Sequence, residues 1–378
     1  MAALTEEQTM LKDQAKSWAG EQAPVSKFRE MRDSGVEGCF APATWDAMVE
    51  MGWTGIIIPE EYGGSDLGFL TFGVVLEELG RQLTASPLFA SALVGASAVI
   101  LGGNDAQKQA LLPKIVDGSE VLTLAVDEMP RHALLQTSLE AAAVEGGYRL
   151  NGKKTFVLEG MTATTLVVVA RTSGAPGTSE GLTVFLVPAD TAGIARVPMK
   201  TADSRGYAQI EFDDVTVGAE SILGQADDGF ELATAVLDRA CAGISAEMMG
   251  TAAQAFDMTL EYLKTREQFG RLIGSFQALG HRAAELYKDM ELSRSCMEAA
   301  LQAIDAEEEN VSQMCALSKA KMGEFLFEMS NQLIQIHGGI GMTDEYDAGL
   351  YLKRARPLET LFGNQAYHRD RYARLLGF

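Results

Sequence analysis

Arg-Glu-Gln-Phe-Gly-Arg-Leu-Ile-Gly-Ser-Phe-Gln, residues 266–277, joins two long helical stretches in the C-terminal half of the chain. Apolar residues recur at helical spacing before it, over residues 230–263, and after it, from 279 to about 304. The segment holds a turn glycine, Gly270, together with two aromatic side chains, two cations and an amide. These groups suit a flat, anionic and partly apolar ligand, so we predict a hinge that contacts such a ligand.

Composition and charge narrow the class of protein. The chain has 378 residues, 47% of them apolar, which is typical of a globular protein of more than one domain. Its 31 Lys and Arg residues face 52 Asp and Glu residues, for a net charge of −21. Because an acidic protein repels the phosphates of nucleic acids, we expect no nucleic-acid partner. No apolar run reaches the ~18 residues that span a bilayer, so we expect no membrane segment.

The cysteines indicate a reducing compartment. The four cysteines, at positions 39, 241, 296 and 315, are far apart and form no C-x-x-C pair. This spacing argues against both a disulfide framework and a zinc site. The N-terminal residues show neither the basic nor the apolar part of a signal peptide. We therefore expect a cytoplasmic protein with free thiols and no metal.

The hydrophobic pattern predicts an α+β fold with three domains. Residues 1–118 have helical periodicity, and Thr5 followed by Gln8 is a capping-box signature. Residues 119–224 contain seven short strand-like runs, with Gly146-Gly147 and Asn151-Gly152 as the clearest hairpin turns, which predicts a small antiparallel barrel or sandwich. Residues 225–378 return to long helices joined by short turns, and we predict a four-helix bundle.

Three motifs in this order resemble the acyl-CoA dehydrogenase family across nearly the whole chain. The N-terminal motif is Gly52-Trp53, Ile58-Pro59-Glu60-Glu61-Tyr62-Gly63-Gly64 and Glu77-Glu78-Leu79-Gly80-Arg81. The C-terminal motifs are Arg266-x-x-Phe269-Gly270 with Phe276-Gln277, and Gln335-Ile-His-Gly-Gly-Ile-Gly341 with Thr343 and Glu345. The resemblance implies an N-terminal helical domain, a middle β domain and a C-terminal helical bundle.

The resemblance also implies FAD as the cofactor. In this family the flavin lies between the β domain of one subunit and the helical bundle of its neighbour. The residues that the resemblance assigns to FAD on the helical side are Arg266, Phe269, Phe276, Gln277, Gln335, Gly338 and Gly339. Their chemistry fits, because arginine offers a forked donor to a pyrophosphate and glycines allow close approach of the backbone.

Two departures in the β domain indicate an eroded flavin site. The family usually has a Thr-Glu-Pro-Gly turn against the flavin, whereas this chain reads Val126-Asp127-Glu128-Met129-Pro130. The family's Trp-x-Thr strand is here Phe156-Val157-Leu158. Phe156 can still pack against a ring, but the Leu158 side chain cannot donate a hydrogen bond. An eroded site for its own flavin, beside an intact surface for a neighbour's, is what we expect of one subunit in a hetero-oligomer.

The catalytic base is also displaced from its usual positions. The reaction needs a carboxylate to remove an α proton, and the family position before Gly363 is Phe362, whose backbone N–H could still polarise the thioester carbonyl. The alternative family position is about Ala240, which is not acidic either. Seven residues later, on the same helical face, Glu247 has an apolar surround and is our first candidate for the base, with Asp238 second.

The sequence therefore predicts an FAD-dependent acyl-CoA dehydrogenase that passes electrons to an electron-transfer flavoprotein. It most resembles subunits of heteromeric (α2β2) members, which act on bulky or unusual acyl chains such as steroid side chains or pimeloyl-type acids. A second reading from another class is a non-catalytic partner subunit that completes a flavin site and stabilises the oligomer. The sequence does not separate a dehydrogenase from an oxidase that uses oxygen directly.

Overall fold

The computed structural model describes residues 4–36 and 38–378. The chain forms two compact units, and each is assembled from separate stretches of sequence. One unit contains the N-terminal residues up to Arg29, then Phe69–Thr84 and Cys241–Phe378. The other contains Glu30–Gly68 and Ala85–Ala240. We call them the helical unit and the sheet unit.

The sheet unit is built on a mixed sheet whose strands run in the spatial order β6-β7-β3-β2-β4-β5-β8, with β1 beside β4. Its strands are β1 (Leu122–Ala125), β2 (Glu140–Val144), β3 (Gly147–Leu158), β4 (Thr165–Arg171), β5 (Leu182–Pro188), β6 (Ile194–Met199), β7 (Tyr207–Gly218) and β8 (Ile222–Leu223). The predicted antiparallel sheet domain is confirmed for most strand pairs, but the sheet is mixed, because β1 pairs with β4 in parallel. Turn residues indicate pairing only between strands that are consecutive in sequence. They could not reveal the pairing of β1 with β4, which are adjacent in the sheet but not in sequence.

Strand β3 corrects a second expectation. Asn151-Gly152, predicted as a hairpin turn, lies inside β3, where the register with β7 shifts between Leu150 and Gly152. The Asn151 side chain accepts a hydrogen bond from the Asp214 amide of β7, at 2.9 Å, and the Asn-Gly pair lies opposite a bulge whose extra residue is on β7, within a continuous ladder. The hairpin at the start of β3 is confirmed, since Val144 pairs with Gly147.

The helices before the sheet follow the predicted pattern. They are α1 (Glu6–Gln22), α2 (Val25–Ser34), α3 (Pro42–Glu50), α4 (Gly68–Arg81), α5 (Ala96–Gly102) and α6 (Asp105–Val116), with a π-helical segment at Phe89–Gly95. The capping box at the start of α1 is confirmed, because Thr5 accepts from the Gln8 amide and the Gln8 side chain accepts from Thr5. Asn104 and Gln107 form a second capping box, at the start of α6.

The C-terminal region contains five helices rather than four. They are α7 (Gly229–Thr265), α8 (Gln277–Asp305), α9 (Val311–His337), α10 (Ala348–Thr360) and α11 (Gln365–Leu375). Helix α10 was not predicted, and it contains Pro357 near its C-terminal end. A proline is usually read as a helix breaker, which hides a helix of this length in the sequence. Two short strands, β9 (Glu267–Gln268) and β10 (Arg271–Leu272), pair between α7 and α8.

Two glycines let α4 and α7 approach closely within the helical unit. A Cβ atom added at Gly80 would overlap the carbonyl oxygen of Glu247, and one added at Gly250 would overlap that of Glu77. The glycines thus face the backbone of the opposite helix. This crossing fixes the part of α7 that carries Glu247. None of the helices in the described ranges is long and apolar enough to cross a membrane.

Candidate active site and flavin-binding surfaces

The hinge segment between α7 and α8 is a tight ribbon with an exposed aromatic tip. Phe269 and Gly270 connect β9 to β10, and both have positive φ, 54° and 73°. The Phe269 side chain is 92% exposed. A left-handed backbone is unfavourable for a bulky residue, and a phenylalanine on the surface gains nothing from burial. A contact between the Phe269 ring and another molecule would account for both the left-handed backbone and the exposure of the ring.

The rest of the segment is anchored to the end of α9. Ile273 packs with Leu263 and Ile336 in one apolar cluster, and Phe276 lies against it. The Arg271 guanidinium sits 4.0 Å from the centre of the Phe276 ring, so one face of that ring is covered by a cation. Arg266 and Gln277 are exposed at the two ends of the segment.

The glycine pair after α9 forms an open turn. Gly338 ends α9 with φ 60° and ψ −134°, a conformation that disfavours side chains. Within the described part of the chain, nothing lies within 4 Å of a Cβ atom added at Gly338 or at Gly339. Gln335, in the last turn of α9, is exposed beside them. The backbone is therefore accessible to a ligand.

His337 joins the hinge segment to the glycine turn. Its ring stacks on Tyr262 of α7, with ring centres 4.3 Å apart, and its Nε2 lies 3.1 Å from the Tyr346 hydroxyl. Its Nδ1 lies 2.7 Å from the Leu333 carbonyl oxygen. Burial lowers the pKa of His337, which favours a neutral ring between the two tyrosines. The contacts of His337 with the two tyrosines were not predicted, and the aromatic residue at position 262 was the one sequence signal for them.

The helical surface therefore has features that suit an anionic, planar cofactor. Arg266 supplies an exposed guanidinium, Phe269 an exposed ring, and Gly338-Gly339 a backbone with room for a close approach. The apolar cluster and His337 bring these groups, 70 residues apart in sequence, to one end of the helical unit.

The sheet unit presents its own candidate residue on β3. Phe156 has φ 52°, and its side chain is 37% exposed. The ladder between β3 and β7 shifts register between Lys154 and Val157, so Phe156 lies in a bulge. Leu158 is buried, and its carbonyl oxygen accepts a hydrogen bond from the Thr123 hydroxyl. Phe156 can contact a ring, whereas Leu158 supplies only an apolar side chain.

The turn that departs from the family pattern is held by internal ion pairs. Glu128 accepts from the buried Lys154 ammonium at 2.8 Å and from the Leu139 amide at 2.9 Å. Burial alone would raise the pKa of Glu128, but Lys154 and the hydrogen bonds outweigh it and lower the pKa. Asp127 pairs with His132 at 2.8 Å. The turn thus carries an acidic side chain, Asp127, within hydrogen-bond distance of a histidine ring.

The first candidate for the base, Glu247, is engaged by a cation. Arg354 of α10 donates to Glu247 Oε1 through Nε at 2.9 Å and through Nη2 at 2.6 Å, and both residues are buried. The sequence could not reveal this partner, which is 107 positions away. Asp238, the second candidate, is also buried and in contact with other groups.

The Phe362 backbone has an unusual conformation. Its φ is 57°, and that of Gly363 is 105°. Phe362 as a whole is buried, with 5% of its surface exposed. The left-handed region is costly for phenylalanine and points to a constrained backbone at this position.

Family models cover almost the whole chain in the order predicted. The N-terminal domain of acyl-CoA dehydrogenase matches residues 5–119, the middle domain matches 131–215, and the C-terminal domain matches 227–377. The chain belongs to the acyl-CoA dehydrogenase family. The predicted three-domain α+β fold is confirmed, and so is the enzyme class, an oxidoreductase acting on the CH–CH group of an acyl-CoA. Acyl-CoA dehydrogenases are FAD flavoproteins, as the resemblance implied.

Individual acyl-CoA dehydrogenases show similarity along most of the chain. A mitochondrial isovaleryl-CoA dehydrogenase from Solanum tuberosum is 32% identical over 334 residues, which are 86% of this chain and 80% of that protein. The ChsE4-ChsE5 complex from Mycobacterium tuberculosis contains a chain that is 27% identical, with a TM-score of 0.90 over 100% of this chain and 99% of that one. A variant of the Tcur3481-Tcur3483 steroid ACAD is 29% identical, with a TM-score of 0.88 over 98% of each chain.

Proposed function

We propose that the protein is one subunit of a heteromeric, FAD-dependent acyl-CoA dehydrogenase that introduces an α,β double bond into a bulky or unusual acyl-CoA. The observation that carries the proposal is that an exposed Phe269 ring and an open Gly338-Gly339 turn belong to two segments joined by one apolar cluster at the end of α9. A cofactor explains both features, because it would cover the ring and occupy the space above the glycines.

The chain's own residues would hold the cofactor from two surfaces. On the helical unit, Arg266 would bind the pyrophosphate and Phe269 would pack against the ligand, with contributions from Phe276, Gln277, Gln335, Gly338 and Gly339. On the sheet unit, Phe156 would lie against a ring system. Bound FAD supplies the acceptor for the hydrogen that leaves the β carbon as hydride. We propose that the two surfaces serve different flavins, since this is the arrangement that the family implies.

The substrate's α proton requires a base on this chain or on its partner. We propose Glu247 as the base, with Asp238 second, because both are buried carboxylates on α7. Arg354 gives Glu247 a structural role as well, as one half of a buried interhelical ion pair. The Phe362 backbone N–H would donate to the thioester carbonyl and stabilise the negative charge that develops there when the α proton leaves.

The similarity to two assemblies supports the heteromeric form. The ChsE4-ChsE5 complex and the Tcur3481-Tcur3483 steroid ACAD are each named for a pair of chains, and the second is named for a steroid substrate. By analogy we propose an α2β2 assembly with a second acyl-CoA dehydrogenase-like chain, a steroid-type or similarly bulky acyl group, and an electron-transfer flavoprotein as the acceptor. We propose a cytoplasmic location, in keeping with four free cysteines.

Purification with and without a partner chain tests the assembly. We expect the chain alone to be nearly colourless and to become yellow, with flavin absorbance, only when it is co-expressed with its partner. If the chain alone forms a yellow homo-oligomer that oxidises acyl-CoA, the heteromeric proposal is wrong. If the complex is yellow but variants of this chain never affect turnover, the second reading holds, and the chain is a non-catalytic partner.

The rate of flavin reduction by acyl-CoA, measured without oxygen, tests the base. We expect Glu247→Gln to slow this step by a factor of about 10² or more, the usual contribution of a positioned base, whereas Glu261→Gln on the exposed part of α7 leaves it unchanged. Asp238→Asn examines the second candidate in the same way. Melting temperatures report the structural role of Glu247 separately. Full turnover in the Glu247→Gln complex would exclude Glu247 as the base.

A further inference from the structure

The turn that follows α10 contains a strained backbone that several buried groups hold in place. Phe362 and Gly363 both have positive φ, and Phe362 is a residue that rarely adopts this conformation. The Leu361 amide donates to the Pro357 carbonyl at 2.9 Å, and the Gly363 amide donates to the Thr360 carbonyl at 3.1 Å. Strain of this kind persists only where the surroundings determine the conformation.

Lys319 of α9 is the first of these groups. It is fully buried, and its ammonium donates to three backbone carbonyls of this turn: Leu358 and Glu359 at 3.0 Å, and Gly363 at 3.1 Å. A lysine ammonium has three N–H donors, so three carbonyls satisfy it completely. Burying a charged group is costly unless it is hydrogen-bonded. Here the three hydrogen bonds offset that cost and orient the backbone of the turn.

His368 of α11 is the second. Its Nε2 lies 2.9 Å from the Phe362 carbonyl oxygen and therefore donates to it. The Cys241 thiol of α7 packs against both, with Sγ 3.8 Å from His368 Nε2 and 3.9 Å from the Phe362 oxygen. The carbonyls of Phe362 and Gly363 are thus fixed by side chains from two different helices.

We propose that Lys319 and His368 are positioning residues that hold the Phe362 amide in the direction required to bind a thioester carbonyl. Their hydrogen bonds fix the peptide groups after Phe362, and the Leu361 amide bond to Pro357 fixes the one before. The peptide group between Leu361 and Phe362, which carries the donor, therefore has its direction set from both sides. This inference rests on the proposed function, in which the Phe362 N–H binds the thioester.

The ionisation of Lys319 gives the arrangement a pH dependence. Burial lowers the pKa of Lys319 to about 8, although Cys241 from α7 and Glu359 from α10 both act to raise it. His368 from α11 faces the same turn. A neutral amine has two N–H donors and can no longer satisfy three carbonyls, so raising the pH through about 8 releases one of them.

Carbon-13 NMR of crotonyl-CoA labelled at the thioester carbonyl, bound to the flavin-loaded complex of this chain with its partner, tests this inference. Crotonyl-CoA already carries the double bond, so it reports carbonyl polarisation without turnover. We expect the bound signal to lie downfield of free crotonyl-CoA, and Lys319→Met and His368→Phe each to remove at least half of this shift. Lys321→Met, two positions further on α9 and partly exposed, should leave it unchanged.

A titration of the wild-type chain covers the case in which a variant does not fold. We expect the downfield shift to decrease as the pH rises, with a midpoint near 8, the pKa of Lys319. A shift that is the same at pH 7 and 9.5, or the same in a folded Lys319→Met chain, overturns the positioning role while leaving the proposed function intact. If the flavin-loaded complex of the wild-type chain with its partner binds neither crotonyl-CoA nor a bulky acyl-CoA, the proposed function itself is overturned.

Discussion

Phe269 combines two unfavourable properties, an exposed ring and a left-handed backbone, at the tip of the ribbon between α7 and α8. The ring makes an edge-to-face contact with Phe276, with ring centres 6.1 Å apart, but it is 92% exposed, so its burial adds little to the stability of the isolated chain. A residue whose conformation costs energy in the free protein is expected to recover that energy in a complex. We therefore propose that Phe269 serves to contact a bound molecule.

Replacing Phe269 with alanine should weaken flavin binding by the complex and change the stability of the chain only slightly, because the ring loses one edge-to-face contact with Phe276. The loss of one packed ring is worth about 1 kcal/mol, or a roughly fivefold higher Kd for FAD. Fluorescence titration of the flavin-free complex with FAD measures this. Tyr287→Ala on α8 removes an aromatic side chain that is 53% exposed and serves as the matched control. Equal flavin affinity in both variants would contradict the assignment of Phe269.

The lowered pKa of Lys319 predicts a pH dependence of the free energy of unfolding that can be measured without a cofactor. Its pKa is about 8 in the fold and near 10.4 when unfolded, so between these values the unfolded chain binds more protons. The free energy of unfolding should therefore rise with pH across this window, by up to about 3 kcal/mol from this group alone. Denaturant titrations at pH 7.5 and 10 measure it. The rise should be smaller by that amount in Lys319→Met and unchanged in Lys321→Met.

The crossing of α4 and α7 shows how much an element depends on two glycines. A methyl group at Gly80 would overlap the carbonyl oxygen of Glu247, and backbone atoms cannot rotate away as a side chain can. The crossing also carries charge, since Glu77 of α4 binds Arg294 of α8 with oxygens 2.7 and 2.8 Å from Nη1. Moving α4 away from α7 would disturb the backbone packing, and moving it away from α8 would break this ion pair.

Gly80→Ala and Gly349→Ala should change stability in opposite directions. The first forces α4 and α7 apart and should cost about 1–3 kcal/mol or more, as overpacking does. The second lies in α10 at a position where, in the described chain, no heavy atom comes within 4 Å of the added methyl, so it should stabilise by about 0.5–1 kcal/mol. Urea unfolding of the two variants decides this. A neutral Gly80→Ala would mean that the helices are not in close contact.

The sequence predicted the elements that depend on local signals. Capping residues at Thr5 and Gln8 and the long apolar periodicities of α7, α8 and α9 report interactions within a few residues of each other. The Asn151-Gly152 pair was misread because the same dipeptide suits a hairpin turn and a bulge, and only the partner strand decides between them. The parallel pairing of β1 with β4 joins residues that are more than 40 positions apart, beyond the range of any local pattern.

In the candidate site too, residues that lie in short motifs could be predicted from the sequence, whereas residues that act through distant contacts could not. Arg266, Phe269 and Gly338 could be proposed as cofactor residues from the sequence because they lie in short motifs. The groups that hold those motifs in place could not, since His337 acts through ring stacking on Tyr262, 75 positions earlier. The partner of Glu247 was invisible for the same reason, because an arginine among 31 basic residues carries no local sign of its contact.

At the scale of the whole molecule, the two compact units do not follow the order of the chain. The helical unit takes α1 and α4 from the N-terminal part and the residues after Ala240 from the C-terminal part. Sequence periodicity gave boundaries at 118 and 224, which remain a prediction about domains. The contacts within the helical unit instead link residues near 80 with residues near 250 and 350.

Cutting the chain at the predicted boundary should therefore give a C-terminal fragment that does not fold alone. Residues 225–378 lack α4, whose glycine faces α7 and whose Glu77 neutralises Arg294. We expect this fragment to show helical circular dichroism but no cooperative unfolding transition, and to regain one when residues 1–224 are co-expressed with it. A cooperative transition in the fragment alone, with the midpoint of the full chain, would contradict the prediction.

Because the helical unit combines early and late parts of the sequence, α4 is synthesised well before the part of α7 that packs against it. Helix α4 ends at Arg81, and the part of α7 that covers it begins at Cys241, so 160 residues must be added before the two can meet. At 5–20 residues per second, the apolar face of α4 waits roughly 8–30 s on the ribosome. During that interval its buried surface, including Phe72, Val75 and Leu76, is available to any passing chain. The apolar face of nascent α4 therefore needs protection from other chains until the later helices have been synthesised.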